Sequence, residues 1–216
     1  VLPINGLKNA DTFKSLSGIK IIYFGITSAE LSAFCKKHDI KAITYLTEDV
    51  AIKNNYLTTE GIIAKMVTES DKAIFSSRIL VIGFGKLGQV LCKVISVLKG
   101  RITVSCRHEK DIIHAKINDY DAITYDGIVD RITDFDFVIN TVPYRLINNV
   151  ILDKIADKNV LVIDASSFPY GLDELYAKEK GIKVLLLPGI PGTVSPETAG
   201  KLIGDFIYND IFGGYT

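Results

Sequence analysis

The sequence predicts an α/β fold: a doubly wound parallel sheet, preceded by a smaller, incomplete-looking N-terminal α/β domain. Two observations predict it. Short β-rich apolar runs recur along the 216 residues with amphipathic helical stretches between them, which is the pattern of βαβ units. One of those runs, RILVIGFGKLGQVL at 78–91, ends in a glycine-rich turn that opens a helix.

Composition narrows the function. The chain is 48% hydrophobic and balances 25 Lys+Arg against 25 Asp+Glu, which excludes disorder and supplies no basic field for gripping a phosphate backbone. No nucleic-acid partner is expected. The longest apolar runs, such as VLLLPGIPG at 184–192, are broken by Gly and Pro well before the ~20 residues of a membrane span, so no membrane partner is expected either. Cys35, Cys92 and Cys106 fit neither a disulfide framework nor metal-ligand spacing, and imply a reducing, cytoplasmic setting. His38, His108 and His114 have no second ligand at metal spacing, so no metal is assigned. Asp119, Asp121, Asp126, Asp130, Asp134 and Asp136 form an acid-rich stretch with no oxygen-ligand loop, and read as a solvated face.

The spacing predicts strands at 19–24, 41–45, 79–83, 102–106, 136–140, 160–164 and 183–187, with a weaker one at 122–125. Helices are expected over 28–38, 58–73, 86–99, 109–117, 146–155, 172–180 and 196–211. The opening VLPING reads as the end of a buried strand running into a turn, so the chain is expected to start inside a domain. Residues 54–78 are the expected joint, with Thr58 or Thr59 capping the helix that follows. The organisation is then a domain over 1–75, a dinucleotide-binding domain over 76–194, and a C-terminal helix over 195–216 that packs back toward the first domain. That last helix opens at SPETAG, where Ser195 can cap, Pro196 suits the first turn and Glu197 faces the positive helix end.

Gly83, Gly85 and Gly88 fall between a strand and an amphipathic helix, the context in which GxGxxG reads as a Rossmann-type nucleotide fingerprint. Gly83 permits the tight turn, Gly85 lets the backbone approach the pyrophosphate, and Gly88 lets helix lie against strand. Lys86 and Leu87 complete the loop, and Lys86 adds positive charge beside the phosphates. An NAD site places a carboxylate about 20 residues further on. Here the second strand ends VSCRHEK, where Arg107 can grip a 2′-phosphate, which favours NADP with NAD still possible. A shift of register that made Glu109 the ribose ligand would reverse the preference.

Ligands of open α/β sheets bind beyond the carboxyl ends of the strands. Three later ends carry polar or glycine-rich residues: Asn140, Thr141, Val142 and Pro143; Asp164, Ala165, Ser166 and Ser167; and Gly189, Pro191, Gly192 and Thr193. Together with the fingerprint they point to an enzyme cleft, although each end also suits capping and turn chemistry.

Nearly the whole chain resembles the A subunit of dipicolinate synthase, the dehydrogenase-like partner in making pyridine-2,6-dicarboxylate in sporulating bacteria. The resemblance rests on VLPINGLKN, YLTTEGIIAKM, VIGFGKLGQVL, VINTVP, IDASSFPYGLDELYAKEKGIK and, most specifically, LLPGIPGTVSPETAGKLI. IDASSFPYG also resembles a stretch of alanine dehydrogenases. Two departures stand out. The family carries a further strand–helix–strand stretch before the VLPING segment, and it tends to have two glycines where this chain has Tyr170 and Gly171 and a small side chain where it has Tyr144 and Arg145.

The resemblance implies oxidation of a dihydropyridine dicarboxylate, or its hydrated precursor, to the aromatic dicarboxylate with NAD(P)+ as acceptor. It implies Glu60 at the inter-domain helix start as proton acceptor, with a helix-dipole role as the rival reading and Asp164 as a second candidate. Thr59, Thr193, Thr198, Arg145 and the helix opening near Pro196 are implied as donors to the substrate carboxylates, beside Gly189, Pro191 and Gly192. Asn140 and Thr141 would line the nicotinamide ribose. A flavoprotein B subunit is the implied partner, and a homo-oligomer is expected on general grounds. Another dehydrogenase of alanine or 2-hydroxy-acid layout, and a non-catalytic NADP-sensing or assembly module, stand as alternatives.

Overall fold

The computed structural model describes residues 1–2, 16 and 18–213. The strand end expected in VLPING lies, from residue 3 onward, outside the described residues. The chain divides into two compact units, Val1–Asn54 with Pro196–Thr216, and Asn55–Ser195.

In the first unit, β1 (Ile21–Phe24) pairs parallel with β2 (Lys41–Thr44), with Ile22 opposite Ala42, and α1 (Ala29–Lys37) makes the crossover. Ser28 caps α1 by accepting from the Leu31 N–H. Leu16, Ile22, Leu31, Cys35 and Ile40 form its small core. The C-terminal helix α9 (Pro196–Phe212) belongs to this unit, and the Tyr23 hydroxyl donates to its Asp210 carboxylate at 2.7 Å.

Helix α2 (Glu48–Thr68) begins ten residues before the expected start at 58. Thr47 provides the cap, its hydroxyl accepting from the Val50 N–H, while Thr58 and Thr59 are buried inside the helix. The expected boundary at 75/76 is corrected for the same reason. Ile62 and Met66 of α2 are fully buried in the core of the second unit, so the units divide inside the helix, at Asn54/Asn55.

The second unit is a six-stranded parallel sheet in the order β5-β4-β3-β6-β7-β8. Its strands are β3 (Arg78–Ile82), β4 (Arg101–Cys106), β5 (Asp121–Thr124), β6 (Phe137–Asn140), β7 (Leu161–Asp164) and β8 (Val184–Leu186). This is the doubly wound Rossmann order, and the weak expectation at 122–125 is the edge strand β5. Alternation along the central strands explains the two layers. Ile79, Val81, Val104, Ile139 and Ile163 face α2, α3 (Lys86–Val97) and α4 (Glu109–Ile117). Leu80, Ile82, Val138 and Val162 face α5 (Ile128–Arg131), α6 (Asn149–Ile155) and α7 (Glu174–Glu179). The segment after Gly189, to which the sequence pattern assigns no element, is a short helix α8 (Ile190–Val194).

Candidate nucleotide and substrate site

The register aligns Ile82, Asn140 and Asp164 at one level of the sheet, so the residues after β3, β6 and β7 emerge side by side. The order of the sheet reverses between β3 and β6, and a ligand crevice forms at such a reversal.

Each fingerprint glycine has a measurable constraint. Gly83 has φ +96°, and a Cβ there would lie 2.6 Å from Thr141 Oγ1 and from Val142 Cγ2. A Cβ at Gly88 would overlap the Gly83 carbonyl oxygen. Gly85 is different: it is the N-cap of α3, and a Cβ there would meet no heavy atom within 4 Å. Its bare backbone therefore borders open space. No acidic residue stands in the first turn of α3, so the positive end of that helix is not neutralised by its own side chains.

This space is a cleft of about 310 Å³. Gly83, Phe84, Gly85, Lys86, Leu87 and Gly88 form its floor; Thr141, Val142 and Pro143 form one wall. The opposite wall holds Cys106, Arg107, His108, Asp111 and Tyr125. Phe84 is held edge-on to His114 and Tyr120, at ring distances of 5.4 and 6.2 Å. Burial, and after it the Asp111 carboxylate, push the Cys106 thiol up to about 11. Burial likewise raises the Tyr125 hydroxyl.

The structure thus gathers Gly83, Gly85, Lys86, Leu87, Gly88, Arg107, Thr141, Val142 and Pro143 around one cleft. Asn140, Ala165 and Ser166 do not line it. Sequence reasoning missed Phe84, Cys106, His108, Asp111 and Tyr125. Tyr125 follows the weakest strand, and Asp111 sits in the first turn of α4, where it reads as an ordinary helix-end acid. The alternative ribose ligand Glu109 does not line the cleft, whereas Asp111 does.

The two candidate carboxylates differ in setting. Glu60 is exposed, but it lies in the interior of α2 rather than in a first turn. Asp164 is fully buried and accepts three hydrogen bonds, from Asn140 Nδ2 at 3.1 Å, the Ser166 N–H at 2.9 Å and the Gly171 N–H at 2.6 Å. A carboxylate so enclosed holds structure.

Gly189, Pro191, Gly192 and Thr193 come together at helix α8 and its start. The Thr193 hydroxyl is used within that helix, donating to the Ile190 carbonyl at 3.0 Å. A Cβ at Gly61 would overlap Ile190 Cγ2, so the YLTTEG and PGIPGTV segments meet there, the Ile190 side chain lying against the Gly61 backbone. Nearby in sequence, Thr59 is fully buried and its hydroxyl is the one buried side-chain polar atom without a partner among the described residues. Thr198 belongs to the other unit, in the first turn of α9. Arg145 is exposed and stands 3.5 Å from Asp173. No described helix is long and apolar enough to cross a membrane.

Comparison with known proteins agrees with this layout. A family model described as the saccharopine dehydrogenase NADP binding domain matches residues 79–185. The A subunit of dipicolinate synthase from Bacillus subtilis (strain 168) is 30% identical over 190 residues, which is 87% of this chain and 63% of that protein. The chain therefore spans less than two thirds of the length of that curated relative. The crystal structure of the dipicolinate synthase A chain from Bacillus subtilis superposes with a TM-score of 0.82 at 29% identity, covering 88% of this chain and 64% of that one. Its counterpart from Bacillus halodurans gives a TM-score of 0.82 at 28% identity, with coverages of 90% and 67%. With its Rossmann sheet, its glycine-floored cleft and this likeness along most of its length, the chain is similar to the A subunits of dipicolinate synthase.

Proposed function

We propose that the chain is an NADP-linked oxidoreductase of the dipicolinate synthase type, oxidising dihydrodipicolinate or its hydrated precursor to dipicolinate. The single observation that carries this reading is the cleft at the sheet's reversal, where the open backbone of Gly85 faces Arg107 and His108 across about 310 Å³. The residues fit a dinucleotide. The Gly85 backbone and the first N–H groups of α3 take the pyrophosphate, with Lys86 adding charge. Arg107 takes a 2′-phosphate through paired N–H donors, and His108, the N-cap of α4, stands beside it. Asp111 is the observation that favours NAD instead, since it is the one carboxylate lining the cleft.

When bound, NADP+ would supply the acceptor for a hydride leaving the substrate ring. Loss of that hydride and one proton from dihydrodipicolinate, with water also leaving where the hydrated precursor is the substrate, makes the ring aromatic, which supplies much of the driving force, so the protein has mainly to position and to take a proton. Thr141, Val142 and Pro143 form the wall against which the nicotinamide side is held. Glu60, exposed on α2, remains our candidate acceptor for the proton. The unpartnered Thr59 hydroxyl is our candidate donor to a substrate carboxylate, and the α8 residues Gly189, Pro191, Gly192 and Thr193, with Thr198 and Arg145, complete the proposed substrate set. A flavoprotein B subunit is the proposed partner, a homo-oligomer the proposed assembly, and the cytoplasm the proposed setting.

Calorimetric titration of the chain with NADPH and NADH, each repeated with dipicolinate, tests the reading. Selective NADPH binding that dipicolinate strengthens is the expected result. NADPH formation from dihydrodipicolinate, with any partner subunit supplied, should accompany it. Nucleotide binding that is indifferent to dipicolinate moves the reading to another dehydrogenase or to a sensing module, and the module predicts that Glu60→Gln leaves function intact. No binding of either nucleotide sinks the proposal.

A further inference from the structure

Asp164 ends β7 with no exposed surface, and its side chain bonds both to the neighbouring strand end at Asn140 and to the loop that follows its own strand. Its Oδ1 accepts from Asn140 Nδ2 at 3.1 Å and from the Ser166 N–H at 2.9 Å; its Oδ2 accepts from the Gly171 N–H at 2.6 Å. Asn140 in turn closes a ring on the cleft wall, its Nδ2 donating to the Val142 carbonyl at 2.9 Å and its Oδ1 accepting from the Val142 N–H at 3.1 Å. Asn140 is itself fully buried, and Gly171 lies so close that a Cβ there would overlap the Asn140 amide.

One buried carboxylate therefore holds two loops, the wall at 141–143 through Asn140 and the segment 166–171 directly. Only an acceptor on both oxygens fits three donors. A carboxamide of the same shape would turn an N–H₂ group toward at least one N–H, and a donor facing a donor in a buried site forces the loop apart.

We propose that Asp164 is a positioning residue for cofactor binding, fixing the Thr141–Pro143 wall through Asn140 and tying it to the 166–171 loop. The role rests on the dinucleotide reading of the cleft, and it is separable from that reading by experiment. Asp136 supplies the control: it stands at the opposite end of β6, where it accepts from Lys72 Nζ at 2.7 Å and from the Arg78 N–H at 2.9 Å.

The test compares NADPH affinity, by calorimetry, for the unaltered chain, Asp164→Asn and Asp136→Asn. The expected result is a tenfold or greater loss for Asp164→Asn and a change within twofold for Asp136→Asn. Hydrogen exchange on the unaltered chain gives a second readout that needs no variant: NADPH should slow the Val142, Ser166 and Gly171 amides together. Equal affinity in Asp164→Asn, equal losses in Asp164→Asn and Asp136→Asn, or protection of Val142 without Ser166 and Gly171 each overturns the role. Should Asp164→Asn fail to fold, the exchange data decide alone. If the unaltered chain binds neither NADPH nor NADH, the reading of the cleft falls and this role falls with it.

Discussion

Gly88 and Gly83 meet backbone to backbone: a Cβ on Gly88 would overlap the Gly83 carbonyl oxygen, so α3 leaves β3 with no room for a side chain between them. Gly85, two residues past Gly83, has open space instead. The same substitution should therefore have opposite signatures at the two sites. Gly88→Ala should cost about 3 kcal/mol of stability through overpacking against rigid backbone. Gly85→Ala should cost about 1 kcal/mol or less, the difference in capping ability, yet weaken NADPH binding tenfold or more, because its methyl stands where the pyrophosphate must approach. Urea denaturation and calorimetry on both variants check this pair of outcomes.

At the far end of the sheet, Asp136 should show its contribution through pH. Burial alone would raise its carboxyl; Lys72, the Arg78 N–H and the Arg78 charge outweigh burial and hold it below the usual carboxylate range. A carboxyl depressed by folding stabilises the folded chain above its unfolded value near ~3.9 and loses that contribution as pH falls through the lower folded value. Asp136→Asn should thus lower stability by about 1 kcal/mol at neutral pH, and the gap to the unaltered chain should close in strong acid. Denaturation midpoints measured at pH 7 and below pH 3 would reveal it.

The contrast between Gly88 and Thr59 shows what the sequence could carry. The nucleotide half was legible because the strand, the three glycines and the following helix each need a particular residue, and few other folds need all of them in that order. The start of α2 was not. Thr58 and Thr59 before a Glu look like a cap, but capping and burial use the same small hydroxyl residue, and only packing shows that Thr47 caps while Thr59 is enclosed. The hydrogen-bond setting of Asp164 was hidden for a similar reason. Its position at a strand end was clear, whereas the return of the Ser166 and Gly171 N–H groups onto it depends on a loop path that no local pattern encodes. Asp111 and Tyr125 reach the cleft from α4 and from beyond β5, a convergence that register and crossover geometry create.

The three cysteines should be silent in the native chain. Cys35, Cys92 and Cys106 are free and buried. Burial raises the thiols of all three, that of Cys106 to about 11. A disulfide thiol reagent at pH 8 should therefore read close to zero thiols in the folded protein and three after denaturation. Cys106 lines the nucleotide cleft, so NADPH should slow its residual labelling more than that of Cys35. Fast labelling of Cys106 at pH 8 would contradict both its burial and its raised thiol.

Tyr170 sits at φ +68°, a left-handed conformation that side chains adopt at a cost, immediately before the Gly171 N–H that binds Asp164. Its ring also packs edge-on to Phe168 at 6.0 Å, so replacing it changes two things at once. Comparing two replacements that both lose the ring isolates the backbone. Asn tolerates the left-handed region and Val, branched at Cβ, does not. Tyr170→Val should therefore be less stable than Tyr170→Asn by about 1 kcal/mol. Because the strained residue positions the Gly171 N–H, Val at 170 should also speed exchange of that amide relative to Asn. Equal stability and equal exchange in the two variants would show that this turn does not depend on its left-handed residue.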